Sequence, residues 1–203
     1  MNELSRVSLV NASDENKTNE LCIMAVRQNG GALEYVPDDM KTKELCITAI
    51  RKNGCALKYV PDEMKTDELC IIAVRENGHA LEYVPDLIIT DELCIMAVEK
   101  NGNALKYVPD LMKTRKICNI AVKKDGFAIK YVSNLLKTKE LCEIAVNTNS
   151  NAIGVTPYII KTKEMCKSIA NNCGNVLEHI PYIARIYGMS LMYIYLYRKI
   201  VKM

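Results

Sequence analysis

The sequence has no Trp, one Phe (Phe127) and only two His, His79 and His179. Tyr, with eleven residues, therefore supplies nearly all the aromatic surface. Two histidines in unrelated positions give no nucleophile–base pair and no ligand cluster. Nine Cys are present, yet no C-x-x-C, so the closely spaced pairs typical of structural zinc sites are missing. There is no Gly-rich phosphate loop. No run reaches the roughly 18 apolar residues that mark a membrane span. The opening MNELSRVSLVNASDENK lacks a basic start followed by an apolar core, so it does not read as a secretory signal. These absences argue against an enzyme, a metal or cofactor site and a membrane span. They set the expectation of a soluble, intracellular (cytoplasmic) protein with no cofactor.

What is there is a period. Thr42–Lys65, TKELCITAIRKNGCALKYVPDEMK, is followed by TDELCIIAVRENGHALEYVPDLII, and 15 of the 24 positions are identical. The same unit begins at Thr18, Thr42, Thr66, Thr90, Thr114, Thr138 and Thr162. Seven tandem 24-residue units therefore fill 18–185. Residues 1–17 are left as an N-terminal cap or loose segment, and 186–203 as a C-terminal helix. A fixed period in this range is the signature of a stacked-repeat array.

One unit suffices to predict the local structure. Thr42 is a good helix N-cap, and Glu44 in the first turn suits the positive end of the helix dipole. Leu45, Cys46, Ala49 and Ile50 share one helical face. Asn53-Gly54 stops the helix, with Gly expected in the left-handed conformation that ends many helices. Ala56, Leu57, Tyr59 and Val60 make a second, shorter helix, which Pro61 ends. Asp62–Met64 then forms one turn with Met64 pointing inward. Neither helix buries its apolar face alone, so the units must stack. The fold class predicted is all-α: an α-solenoid of seven helix-turn-helix repeats with a C-terminal capping helix.

The recurring Ala49, Asn53-Gly54-Cys55-Ala56-Leu57 and Tyr59 resemble the repeat of a family of unknown function numbered 4116. Such repeats occur in giant viruses and some bacteria. The Cys column, the Val-Pro-Asp ending and the strict period of 24 depart from the family's usual form, which is slightly longer. The resemblance implies a helical repeat and a giant-virus origin, but no activity and no site residues. The Lys, Ile, Asn and Tyr bias of an AT-rich genome agrees with it.

The columns then divide into core and surface. Cys22, Cys46, Cys70, Cys94, Cys118, Cys142 and Cys166 repeat at one position and read as small buried thiols. Cys55 and Cys173 lie near turns and are the more reactive candidates. The Tyr ladder (Tyr35, Tyr59, Tyr83, Tyr107, Tyr131) reads as packed core, although such a ladder is able to stack on bases. The solvent-facing columns mix charges, except in unit five (114–137). There Arg115, Lys116, Lys123, Lys124, Lys130 and Lys137 face a single acid, Asp125, a formal +5 against +3 for the whole chain. The tail, YGMSLMYIYLYRKIVKM, reads either as a cap over unit seven or as a partner or membrane-surface helix. The function expected is a non-enzymatic scaffold for protein–protein interaction. Its candidate partner-binding residues are Arg115, Lys116, Lys123, Lys124 and Lys130, and its partner is another, acidic protein. The alternative is nucleic-acid binding through unit five and the basic tail.

Overall fold

Each unit begins with Thr, and each Thr caps. In the computed structural model, which describes residues 18–157, the Thr hydroxyl accepts from the backbone N–H three residues on in all six described units. Six ten-residue α-helices follow: α1 Asn19–Gln28, α2 Lys43–Lys52, α3 Asp67–Glu76, α4 Asp91–Lys100, α5 Arg115–Lys124 and α6 Lys139–Thr148. Unit seven, the N-terminal segment and the C-terminal helix of the sequence reading lie outside the described residues.

The second half of each unit is helical but not α. Gly54–Tyr59 is a 3-10 helix, as are its equivalents from Gly30–Tyr35 to Ser150–Val155. A further 3-10 turn, Asp62–Met64, follows Pro61 and recurs in units one to four. In unit five Ser133 replaces Pro, and a turn stands there instead. Geometry explains the tighter helix. Ten α-residues span about 15 Å, and six 3-10 residues at about 2 Å each span about 12 Å. A short segment thus returns the chain almost to the level where its helix began, ready for the next Thr. Among the described residues there is no strand.

The α-helices pack in chain order into one layer and the 3-10 segments into another. From unit one to unit five, the six-residue 3-10 segment lies against its own α-helix and the α-helix of the following unit. Between the layers runs one continuous core. In unit two it is Leu45, Cys46, Ala49, Ile50, Ala56, Leu57 and Val60, all buried, and the same seven positions are buried through unit five. Met64 and its equivalents Met40, Ile88, Met112 and Leu136 pack against this core as expected. The chain is an all-α solenoid of tandem repeats.

The glycine column has a different cause from the one its position suggests. The helices end on Asn, or on Asp125 in unit five, in extended backbone, such as Asn53 at φ −152°, and no left-handed residue is needed. The glycine is required by the neighbouring unit. A Cβ on Gly102 would sit 2.5 Å from the Ala121 carbonyl oxygen, and Gly30, Gly54, Gly78 and Gly126 face the equivalent Ala carbonyl of the next unit in the same way. The column marks where two backbones touch.

Asn at the junction serves both halves. Its backbone N–H closes the α-helix, and its side-chain oxygen caps the 3-10 helix by accepting from the residue two further on, as in Asn53 to Cys55 at 3.1 Å. Asn101 instead reaches across to accept from Gly78 N–H at 3.0 Å.

Candidate partner-binding surface

Unit five keeps this backbone while reversing its charge. α5 has no acid in its first turn, whereas the other five helices have one or two. Arg115 and Lys116 stand there instead, exposed, at the end where cations are disfavoured by the helix dipole. Lys123 and Lys124 occupy the last turn, where the dipole favours them. The two pairs are eight residues apart on one helix, about 12 Å along its axis. They lie on opposite edges of the array. The four candidates on the helix thus form two pairs, and the fifth, Lys130, stands in the other layer, in the last turn of the 3-10 segment Gly126–Tyr131.

The Lys130 ammonium lies 4.5 Å from the Phe127 ring centroid and 4.7 Å from that of Tyr131. Two ring faces hold a charge in place at little electrostatic cost. Phe127, which sequence reasoning left among the variable positions, is therefore part of the surface. The signal was available: it is the only Phe, and it stands where other units carry Gly31, Cys55, His79 and Asn103.

The single acid of the unit faces inward. Asp125 caps the 3-10 helix by accepting from Phe127 N–H at 2.9 Å, and its other oxygen accepts from the Asn103 amide of unit four. It does not neutralise the lysines: among the described residues none of the five candidates enters an ion pair. Lys137, the sixth base, is used within the array, donating to the Val155 carbonyl at 3.5 Å. The lysines that close the turns of units one, two and four are locally paired. Lys65 and Lys113 fold onto Asp62 and Asp110 of their own turns at 2.7 and 2.8 Å. These bonds hold both carboxyls below the usual range.

The thiols and phenols of the array are not activated. Cys46, Cys70, Cys94, Cys118 and Cys142 are free and buried, and Cys22 is buried too. Burial pushes Cys70 and Cys94 up to about 11. Cys55, marked by sequence as a more reactive thiol, is half-buried and accepts from the Asn77 amide at 3.2 Å; burial, aided by Glu82, raises it too. A raised thiol is a poor nucleophile at neutral pH, although Cys55 remains less buried than the column thiols. Cys173 lies outside the described residues. The Tyr column is half-buried against the core. Tyr83 and Tyr107 are raised by burial and by hydrogen bonds to Glu82.

The array matches the model for a domain of unknown function, DUF4116, in five overlapping windows: 18–65, 42–89, 66–113, 90–137 and 114–161. The chain belongs to this family. Each window spans two 24-residue units and is offset from the last by one. No curated protein and no solved structure matches the chain significantly. No helix among the described residues is long and apolar enough to cross a membrane.

Proposed function

We propose that this chain is a non-enzymatic repeat scaffold of viral origin that binds an acidic segment of another protein through Lys123, Lys124 and Lys130. The carrying observation is that, among the described residues, none of these cations enters an ion pair, and that the Lys130 ammonium lies over the rings of Phe127 and Tyr131 on a fold shared with the neighbouring units. Elongated repeat surfaces suit extended partners. The raised thiols support a role without covalent chemistry.

Unit three supplies a ready control, because Arg75, Glu76 and Glu82 occupy the equivalent positions. A Lys123→Arg, Lys124→Glu, Lys130→Glu variant should keep its circular dichroism. It should lose binding to a polyglutamate peptide that the wild-type chain retains at physiological salt, about 0.15 M. Undiminished binding by the variant would sink the proposal. Tight binding to duplex DNA, with log affinity falling by about 0.9 per phosphate against log salt, would transfer the site to nucleic acid.

A further inference from the structure

The opposite edge of the array carries a feature that the partner-binding reading does not use. Leu87, Leu111 and Leu135 are 101%, 99% and 95% exposed. They occupy the same position in the turns of units three, four and five, so they form a ladder with the spacing of the repeat. Units one and two have Asp39 and Glu63 there, both exposed, so the fold does not require Leu. Single exposed leucines are ordinary, but an aligned set at one repeat position marks an interaction surface.

The charges beside the ladder indicate what covers it. The turns lead directly into the helix N-termini, so the first residues of each α-helix flank the leucines. Neighbouring units meet along this edge, as Lys43 shows by pairing with Glu68 at 2.9 Å. In chain order the edge reads Asp67-Glu68, Leu87, Asp91-Glu92, Leu111, Arg115-Lys116, Leu135 and Lys139-Glu140. Leu111 is the centre of the ladder. The acidic pair Asp91-Glu92 lies on one side of it and the basic pair Arg115-Lys116 on the other. Apolar and charged groups are thus arranged so that the edge complements itself when turned end for end.

We infer that this edge binds a second copy of the chain, antiparallel, about a two-fold axis through Leu111. Leu111 meets its own equivalent. Leu87 meets Leu135 of the second copy. Asp91-Glu92 faces Arg115-Lys116 of the second copy, and the same contact recurs across the axis. A two-fold interface must be self-complementary in this way. It also gives Arg115 and Lys116 a use at a helix end where the dipole disfavours them. Lys123 and Lys124 lie on the other edge and stay free, and Lys130 stands in the layer of 3-10 segments. This inference is independent of the partner reading.

The test is sedimentation of the full chain with three variants. Leu111→Glu copies Glu63 of unit two, so the unit keeps a side chain its fold already accepts. It should weaken dimerisation at least tenfold. A chain carrying Asp91→Lys with Glu92→Lys, and another carrying Arg115→Asp with Lys116→Glu, should each be monomeric alone, because like charges then face across the axis. Mixed, they should form a heterodimer. Added salt should weaken the wild-type dimer. A parallel pairing would set like charges together and be strengthened by salt, which would overturn the proposed axis. A wild-type chain that stays monomeric to about 1 mM, or a dimer undiminished by Leu111→Glu, would overturn the interface itself.

Discussion

Unit three has one base and five acids, unit five has six bases and one acid, and the two share one backbone. Each has a Thr-capped α-helix of ten residues followed by a 3-10 helix of six. Each buries the same seven columns, although Leu69 and Leu81 of unit three become Ile117 and Ile129. Fold and charge are therefore carried by separate positions. Caps, glycine and core columns set the conformation, and the first and last turns of the α-helix are left to vary. Surface charge in such an array is free to follow partners, because it costs the stacking little.

Breaking the shared part should affect both units alike. Leu81→Ala and Ile129→Ala each remove a fully buried side chain between the layers. Each should cost about 2–5 kcal/mol in chemical denaturation. A loss confined to one unit would show that the cores are not equivalent. Gly78→Ala and Gly126→Ala push a methyl group into the next unit's Ala carbonyl. Overpacking of this kind should cost about 1–3 kcal/mol in each. If the glycines served only to release a strained turn, the cost would follow backbone conformation, and these extended junctions would show almost none.

Alkaline pH distinguishes the units by their buried thiols. Folded Cys70 and Cys94 hold their protons up to about 11, against 9.0 for a free thiol. The folded chain thus binds these protons more tightly than the unfolded chain. That stability is complete below pH 9 and is lost as pH rises towards 11. The thermal midpoint should fall across this window, and Cys70→Ala with Cys94→Ala should flatten the fall. The smallest effect sharpens the contrast of charge. Transplanting Asp67 and Glu68 as Arg115→Asp and Lys116→Glu should stabilise the α5 N-terminus by about 0.3–1 kcal/mol per residue at low salt. Measured at concentrations where the wild-type chain is monomeric, a neutral or destabilising result would show that Arg115 and Lys116 are held by contacts within their own chain.

The parts legible in the sequence were those that act within one unit. Thr42 as a cap, the Leu45–Ile50 face and Met64 pointing inward all follow from local chemistry, and they stand in the structure. The parts that depend on a neighbour were not legible. Gly54 looked like a helix terminator because the sequence shows what precedes it, whereas its constraint comes from Ala73, nineteen positions later in the next unit. Gly54–Tyr59 has the composition of an α-helix; the return distance between layers, not propensity, makes it 3-10. The basic residues of unit five were read as one patch because they are close in sequence, and a ten-residue helix separates them. The Leu87, Leu111 and Leu135 ladder was missed because an apolar residue beside Met or Ile passes for core until its exposure is known.

The Gly–Ala contact also makes the units interchangeable as cassettes. Every described joint from unit one to unit six pairs a glycine behind with an alanine ahead, so a unit duplicated in frame brings both halves of its own joint. Copy number is thereby able to change by genetic slippage without any compensating substitution. The end of the series differs. Ser150 holds the glycine position of unit six, and in the sequence of unit seven Ile169 holds the alanine position. A cassette inserted between units four and five would meet the original partners. One inserted after residue 161 would have Ser150 behind it in place of glycine.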